Sequence, residues 1–304
     1  MVDQCRNCGG SNVVNLGPLG RVAPFFLKRV LGCELEFCES PTFWKQLIRK
    51  IASFPLSLVS RGTPVFAAYV ELQLCESCTF IQTRVPFHEE DVMKLYADYR
   101  SQPYNQERIK YEPTYAAIAA RVGQDSIEVK TRTSALTAFL KNALPVDQVR
   151  TILDYGGADG RFLPDIRGEK FVFDVSNIET IAGITRVKSE SELTQYSLVL
   201  LAHVTEHLVY PLALVRKLSD YVEPGGFLYI ETPQEITDQQ RDDLRTGRRR
   251  IELGIHEHLN YYSIRALTGL IQAAGFSIVA SKVEPVDIGW IKTIHLRILG
   301  QKPS

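Results

Sequence analysis

The pattern of apolar and polar positions changes near residue 149. Beyond it, short apolar runs alternate with stretches in which apolar residues recur at helical spacing. The runs predict strands at TILDY, KFVFDV, ITRVK, SLVLLAHV and GGFLYIET, and the clearest helix between them is YPLALVRKLSDYV. Such alternation is typical of a parallel sheet covered on both faces, so we predict an α/β domain over residues 146–304.

The end of this domain has a different pattern. One amphipathic stretch, SIRALTGLIQAAGF, predicts a helix, and two apolar stretches follow it, SIVASKVEP and IKTIHLRILG. No helical segment separates these two stretches. We therefore expect the sheet to close with a hairpin of two late strands.

Helical spacing dominates residues 86–145. EEDVMKLYADYR, NQERIKYEPTYAAIAARV and SALTAFLKNAL each predict a helix, and the first two are rich in tyrosine. We interpret this region as a helical bridge or lid. It precedes the α/β domain and follows a smaller module at residues 1–85.

The module at residues 1–85 contains a predicted insertion at about 17–62. Within it, TFWKQLIRKIASF (42–54) predicts a helix with one apolar and one basic face. Packing of this helix on its own domain is the favoured interpretation. The alternative is association with an anionic membrane surface.

Cysteine spacing indicates a metal site in the same module. Two C-x-x-C pairs are present, Cys5 with Cys8 and Cys75 with Cys78. Each such turn places two thiolates on one side of a metal, and two turns complete a tetrahedral zinc site. We predict a structural Zn2+ remote from the chemistry. Cys33 and Cys38 lack this spacing and are interpreted as buried thiols.

Charge and composition narrow the classes of partner. Thirty-five basic residues balance 35 acidic ones, so no global field favours nucleic acid. The first residues, MVDQCRNCGG, are polar and show no secretory signal. No apolar run approaches the roughly 18 residues of a spanning helix. We predict a cytoplasmic protein with no spanning segment.

The first strand of the α/β domain leads into a glycine-rich loop, LDYGGADGRF. Its glycines permit a tight turn and close approach of a ligand, and they are Gly156, Gly157 and Gly160. A helix is expected to follow and to direct its N-terminus at that ligand. A dinucleotide fingerprint would need glycine where Ala158 and Arg161 stand, so a dehydrogenase fits poorly. Asp174 ends the second strand, where a carboxylate can accept hydrogen bonds from ribose hydroxyls.

With Asp154 at the strand end, this loop resembles D-x-G-x-(G/A)-x-G, which holds the methionine part of S-adenosylmethionine (SAM) in class I methyltransferases. The chain is similar to the zinc-containing sugar C-methyltransferase family, which acts on nucleotide-linked deoxysugars. That family carries two C-x-x-C pairs and a late H-E-H-x-x-Y-x-S segment, matched here by His256–Ser263. The resemblance implies a Rossmann-like seven-stranded SAM-methyltransferase sheet, a zinc module and a nucleotide-sugar substrate.

The resemblance also implies roles for individual residues. The implied SAM contacts are Asp154, Gly156, Gly157, Gly160, Asp174, Val175, Ala202 and His203. Glu257 and His258 carry the acid–base work, with His258 the candidate general base. A histidine suits that role because its unperturbed pKa is about 6.5. Tyr99 corresponds to a tyrosine that borders the sugar, and Tyr96 and Tyr104 are near rivals.

HVTEH, residues 203–207, reads as the H-x-x-E-H pattern of zinc proteases. Those enzymes place both histidines on one helix face. Here an apolar strand precedes His203, and the next helix begins near Pro211. We expect a strand-to-helix turn that lines the SAM pocket, so shared ligation by the two histidines is not predicted. The alternative is that Glu206 and His207 only cap a helix.

The sequence leaves the methyl acceptor and the class of protein open. Transfer to an oxygen of a small molecule or lipid-linked glycan would make the enzyme an O-methyltransferase. A non-catalytic module could keep the SAM fold and zinc domain for protein binding. The cluster RTGRRR (245–250) is either a grip for a pyrophosphate or a solvated charge run.

Overall fold

The computed structural model describes residues 4–33, 68–176 and 178–304. The predicted basic helix at 42–54 and Cys38 lie outside the described residues. No helix in the described part is long and apolar enough to cross a membrane.

The described residues group into two compact units. The first is built mainly from Gly10–Ala119 and Ile236–Tyr261, and the second mainly from Ala120–Glu235 and Tyr262–Ser304. The chain therefore leaves the second unit after Glu235 and returns to it at Tyr262. The predicted domain boundaries near 85 and 145 stay predictions.

The elements are numbered in chain order through the described residues. The strands are β1 (Val13–Val22), β2 (Ala68–Cys75), β3 (Ile81–Thr83), β4 (Thr151–Tyr155), β5 (Glu169–Phe173), β6 (Thr185–Val187), β7 (Tyr196–Ala202), β8 (Val222–Pro233), β9 (Leu253–Ile255), β10 (Ser277–Asp287) and β11 (Lys292–Gln301). The helices are α1 (Pro24–Leu31), α2 (Glu89–Met93), α3 (Gln102–Tyr111), α4 (Ser126–Ala143), α5 (Pro211–Ser219), α6 (Asp238–Thr246) and α7 (Ile264–Ala273).

The second unit is organised around a seven-stranded sheet with strand order β10-β11-β8-β7-β4-β5-β6. Strands β4 to β8 pair in parallel, whereas β11 is antiparallel to both β8 and β10. The predicted Rossmann-like sheet of seven strands is confirmed, and so is its late hairpin. The five predicted parallel strands correspond to β4–β8 within a few residues at each end.

The centre of this sheet is apolar on both faces. All residues of β7 from Tyr196 to Leu201 are buried, which explains its uninterrupted apolar run. Helix α4 covers one face, and its Phe139 and Leu140 pack with Ile152 and Leu198. The side chain of Asp125 caps α4 by accepting hydrogen bonds from two backbone amides of its first turn.

The prediction that a helix follows the glycine loop is wrong. Residues 156–168 form turns and bends that lead directly into β5. Gly160 and Gly168 have φ values of 83° and 125°, outside the helical region. Pro164 lies between them and has no amide hydrogen to donate within a helix. The loop therefore holds its shape by backbone turns and has no helix N-terminus directed at a ligand.

The first unit contains a four-stranded sheet with order β3-β2-β1-β9. Strand β2 matches the predicted strand AAYVELQL and is antiparallel to β1 and β3. Strand β1 carries irregularities in its register at Gly17 and Gly20, and β9 pairs with it in parallel. The insertion predicted to begin at about residue 17 would therefore start inside β1.

Two glycines with the same φ angle allow a test of how tightly the glycine loop packs. Gly160 and Gly183 both have φ of 83°. A Cβ at Gly160 would lie 2.6 Å from the Ile184 side chain, whereas one at Gly183 would have no heavy atom within 4 Å. We expect Gly183→Ala to cost about 1 kcal/mol through backbone strain alone. Gly160→Ala should cost about 1–3 kcal/mol more through overpacking. Urea unfolding of both variants measures the difference, and equal losses would contradict it.

Candidate functional site

The two predicted cysteine pairs come together at one point. The sulfur atoms of Cys5, Cys8, Cys75 and Cys78 all lie within 4.8 Å of one another. Only two residues separate Cys8 from Cys5, so the chain itself keeps it beside Cys5. The Sγ atoms of Cys5 and Cys78 are 3.7 Å apart. Two thiolates bound tetrahedrally to zinc at about 2.3 Å would lie about 3.8 Å apart, so these residues fit a zinc ion.

Both cysteine turns have the same backbone geometry. In each, the amide of the first cysteine donates to the carbonyl five residues later, at 2.9 Å. The residue after each pair has a positive φ, which is 76° at Gly9 and 63° at Thr79. The second value is a strained conformation for a β-branched residue, and it closes the turn that presents Cys75 and Cys78.

The glycine loop begins where β4 ends. Positive φ values occur at alternate positions, Gly156, Ala158 and Gly160, at 81°, 50° and 83°. Alternation of this kind forms concave nests of backbone amides that suit anionic or polar ligands. Gly157 lies against Asp154, and a Cβ there would be 2.4 Å from the Asp154 carboxyl carbon. Glycine is therefore required at this position by packing within the chain.

Asp154 is 3% exposed and lies beneath the loop. Burial raises the pKa of Asp154 to about 7, and the charge of Asp174 adds to the rise. Its carboxyl group is therefore protonated far more readily than that of a surface aspartate.

Asp174 joins the glycine loop to the end of β5. Its Oδ2 accepts from the Ala158 amide at 2.9 Å, and its Oδ1 accepts from the Ser176 amide and hydroxyl at 2.7 and 2.5 Å. A carboxylate offers about four acceptor positions, so one remains for a ribose hydroxyl. Val175 follows and is 57% exposed, which is unusual for an aliphatic side chain at a strand end. The acceptor position on Asp174 suits the ribose of SAM, and the apolar surface of Val175 suits its adenine.

The H-x-x-E-H segment lies beyond β7 and not on one helix. Thr205–His207 form a single 3-10 turn, and α5 begins only at Pro211. His203 and His207 therefore lie on either side of a strand-to-helix turn. This arrangement agrees with the expectation from the sequence and does not resemble a zinc-protease helix.

His203 has a constrained position at the end of β7, directly after Ala202. Its φ is 55°, which is uncommon for a residue with a side chain. Its Nε2 lies 3.1 Å from Glu231 Oε1, and its Nδ1 lies 3.3 Å from Glu206 Oε1. Both ring nitrogens are therefore directed at carboxylates, while the residue stays partly exposed.

A second polar cluster lies in the first unit around Glu257. Glu257 accepts hydrogen bonds from Tyr99 Oη at 3.2 Å and from Tyr104 Oη at 2.5 Å. It also forms an ion pair with Arg108, which comes from α3. Burial raises the pKa of Tyr99 and of Tyr104, and the negative charge of Glu257 raises both further. Both phenols therefore stay protonated near neutral pH.

The tyrosines that compete for the predicted sugar-facing role are close together. Tyr99 and Tyr104 both contact Glu257, and their rings are 5.4 Å apart. Tyr96 packs on Tyr99 at 5.3 Å. The structure thus brings Tyr99 and Tyr104 together at Glu257, and the sugar-facing role of Tyr99 stays a prediction.

His258 is half-buried next to Glu257. Its ring centroid is 4.7 Å from that of His256, and its backbone amide points at His256 Nδ1 from 3.4 Å. The H-E-H segment therefore places two imidazoles and one carboxylate on a short turn within the first unit.

The basic cluster at 245–250 is exposed and partly neutralised. Arg245 and Arg248 both form ion pairs with Asp242, and Arg248 also reaches Asp243 at 3.2 Å. These contacts favour the interpretation as a solvated charge run over a pyrophosphate grip.

Sequence reasoning missed two kinds of polar residue. Arg108 lies in an ordinary polar helix, and nothing in its neighbourhood distinguishes it. His295 and Arg297 gave a signal that was overlooked, because they alternate inside the apolar strand IKTIHLRILG. Both are buried, and both contact Glu231, at 3.0 and 2.7 Å.

Residues 129–281 match the family model described as a methyltransferase domain, which is just over half of the chain. The chain belongs to this methyltransferase family. It is an enzyme, a class I SAM-dependent methyltransferase. The glycine loop and Asp174 follow the carboxyl ends of β4 and β5, the side of an open α/β sheet on which ligands generally bind.

Several solved structures are similar to this methyltransferase. One is the 1,6-didemethyltoxoflavin-N1-methyltransferase of Burkholderia thailandensis, with bound 1,6-didemethyltoxoflavin and S-adenosylhomocysteine. It is 15% identical with a TM-score of 0.44, and the match covers 67% of this chain and 92% of that one. Human N-acetylserotonin methyltransferase, in complex with SAM, is 15% identical with a TM-score of 0.42, over 72% of this chain and 61% of that one. N-methyltransferase NodS of Bradyrhizobium japonicum is 16% identical with a TM-score of 0.40, over 59% and 98%.

These likenesses assign no substrate to the methyltransferase. No curated protein sequence matches it significantly.

The cysteine cluster leads to a prediction about metal content. We expect the purified methyltransferase to contain zinc, and Cys78→Ser to lose about one equivalent relative to wild type. Since structural zinc contributes to folding, this variant should also unfold at a lower temperature. Cys33→Ser is the matched control, because Cys33 is buried but lies outside the cluster. Metal analysis and thermal unfolding provide the readouts, and equal zinc content in the two variants would contradict the site.

Proposed function

We propose that this methyltransferase acts on a nucleotide-activated (deoxy)sugar or a related glycan precursor. His258 is the general base, Glu257 assists or orients His258, and Tyr99 borders the sugar. The observation that supports this best is the convergence of two phenols and a guanidinium on Glu257.

The partners of Glu257 determine what it can do. Tyr99, Tyr104 and Arg108 all donate, and together they engage both carboxylate oxygens. The permanent positive charge of the Arg108 guanidinium favours the ionised carboxylate, so Glu257 serves as a fixed negative charge. Such a charge can orient an imidazole or stabilise it once it is protonated.

The same contacts leave the base role to a histidine. Tyr99 and Tyr104 hold their protons because burial and the charge of Glu257 raise their pKa. Arg108 is a permanent cation. His258 directly follows Glu257, and an imidazole is the group whose proton affinity suits a base near neutral pH.

An activated sugar matches the surroundings of this cluster. Tyrosine rings and hydroxyls suit the apolar faces and hydroxyl groups of a sugar. Arg100 lies over the Tyr99 ring at 4.8 Å, and Arg108 lies over the Tyr115 ring at 3.9 Å. The Arg100 guanidinium would complement the negative charge of a sugar-linked diphosphate, whereas Arg108 is already paired with Glu257 and Glu112.

The second unit would hold the cofactor. The cofactor residues would lie at the carboxyl ends of three neighbouring strands. The glycine loop over Asp154 follows β4, the Asp174 carboxylate and the exposed Val175 follow β5, and Ala202 and His203 lie at the end of β7. When bound there, SAM supplies the methyl group. In C-methylation His258 would remove a proton alpha to a ketone, and in O-methylation a hydroxyl proton.

Zinc would have a structural role in this function. Four thiolates complete the coordination shell of a tetrahedral ion and leave no position for a substrate. We therefore assign Cys5, Cys8, Cys75 and Cys78 to folding of the N-terminal part and not to catalysis.

Asp174 provides the test of the cofactor assignment. We expect S-adenosylhomocysteine to bind the wild type and to bind Asp174→Ala at least tenfold more weakly, because the variant loses both a ribose acceptor and the tie to the glycine loop. Asp165→Ala removes an exposed carboxylate elsewhere in the same unit and should bind normally. Isothermal calorimetry on the three proteins is the measurement. Unchanged affinity in Asp174→Ala would exclude this role.

Turnover of nucleotide-linked keto-deoxysugars and their hydroxyl analogues tests the acceptor and the base together. We expect His258→Ala to lower kcat about 100-fold or more while leaving S-adenosylhomocysteine affinity unchanged. His88→Ala is the matched control, because His88 is exposed outside the cluster.

The proton-transfer step can also be observed without methyl transfer. Incubation of a keto-sugar in D2O should exchange its alpha proton in the wild type and not in His258→Ala, as followed by NMR. If the protein binds S-adenosylhomocysteine but methylates no sugar nucleotide, the proposed acceptor is refuted and the methyltransferase assignment stays intact.

A further inference from the structure

A buried polar cluster in the second unit shares one residue, His203, with the proposed cofactor site, and its other members have no part in the proposed chemistry. It is centred on Glu231, which is 3% exposed and lies near the end of β8. His203 approaches it from the end of β7, and His295 from the neighbouring strand β11. All three residues lie on the side of the sheet at which its parallel strands end.

Three potential ligand atoms converge in this cluster. His203, Glu231 and His295 offer one each, and the three atoms all lie within 4.8 Å of one another. The Oε1 atom of Glu231 faces His203 Nε2 and His295 Nδ1. Glu231 Oε1 is 3.1 Å from the first nitrogen and 3.0 Å from the second. Ligands bound at about 2.1 Å to one ion, at angles between octahedral and tetrahedral, lie about 3.0–3.4 Å apart. The separations of 3.1 and 3.0 Å therefore match those between neighbouring ligands of a single metal ion.

The second ring nitrogen of His203 and the second carboxylate oxygen of Glu231 also have polar partners. His203 directs its other ring nitrogen at Glu206, which is 1% exposed, over 3.3 Å. The second oxygen of Glu231 accepts from Arg297 Nε at 2.7 Å and from the hydroxyl of Tyr229. Metal-binding histidines commonly donate their second nitrogen to a carboxylate, and metal-binding carboxylates are commonly hydrogen-bonded in this way.

The backbone of His203 supports a specialised role. Its φ of 55° is strained for a histidine, and its amide donates to the Glu231 carbonyl at 2.8 Å. Strained residues of this kind concentrate at functional sites and persist only where their surroundings determine them. The His203 side chain is 24% exposed, whereas Glu231 and His295 are enclosed, so one side of the cluster stays accessible.

From this geometry we propose that His203, Glu231 and His295 form a binding site for a divalent transition-metal ion. Two imidazoles and one carboxylate are the ligand set of open sites for Zn2+, Fe2+ and related ions. Three protein ligands leave positions for water or for an oxygen of a small molecule. The proposal does not rest on the identity of the methyl acceptor, and the site is separate from the four cysteines.

Cobalt distinguishes this site from the cysteine site. With zinc retained by the cysteines, we expect the wild type to bind one further equivalent of Co2+ in equilibrium dialysis. Its visible spectrum should show nitrogen and oxygen ligation and lack the intense near-ultraviolet band of thiolate-bound cobalt. Absence of a further equivalent, or a thiolate band in its spectrum, would overturn the proposal without any variant.

His203→Asn is the variant of choice, since asparagine tolerates a positive φ better than most residues. We expect it to weaken Co2+ binding at the second site at least tenfold while its circular dichroism matches that of the wild type. His88→Asn changes an exposed histidine at the N-cap of α2, where asparagine is favoured, and should bind Co2+ normally. Equal Co2+ affinity in His203→Asn and wild type would mean that the cluster is a hydrogen-bond network only.

Discussion

Parallel pairing of β4 with β5 on one side and β7 on the other is the constraint on which the second unit depends. Because the chain reverses direction across the sheet at this point, loops that follow neighbouring strands separate and leave a crevice. The glycine loop, Asp174 and His203 each follow one of these three strands. Their proximity is thus a consequence of strand order, and the buried apolar residues of β7 fix that order by packing on both faces.

The same constraint explains why the sheet was predictable from sequence. Strands buried on both faces need continuous apolar runs, so TILDY and SLVLLA stand out against the polar helices around them. Strand β1 did not stand out, because VVNLGPLGRV contains two glycines and a proline that indicate turns. Its pairing with β2 overrides that local signal. At 156–168 the local signal prevailed instead, because Pro164 and three glycines with positive φ form turns where the general pattern of the fold predicted a helix.

The candidate sites were predictable only where their residues are close in sequence. The C-x-x-C pairs, the glycine loop and H-E-H are local motifs. By contrast, Tyr104 and Glu257 are 153 positions apart, and Glu231 and Arg297 are 66 apart. Arg108 therefore emerged from the fold alone, whereas a sequence signal was overlooked for Arg297. The one sequence signal for the latter was a pair of polar residues in a strand too apolar to be exposed, which requires a buried partner of opposite charge.

Both carboxylates that organise these sites are stabilised by side-chain partners, but they differ in the chemistry that those partners allow. Glu257 has a guanidinium and two phenols around it, all on the protein's own side chains, so its charge is fixed and can act on a neighbouring imidazole. Glu231 divides its oxygens, one toward Arg297 and Tyr229 and the other toward two imidazoles. A neutral imidazole can bind a metal ion near neutral pH, whereas the phenols at Glu257 have raised pKa values and keep their protons, and a guanidinium is a permanent cation. That difference in partners, more than any difference in burial, makes Glu231 the centre suited to an ion and Glu257 the one suited to proton transfer.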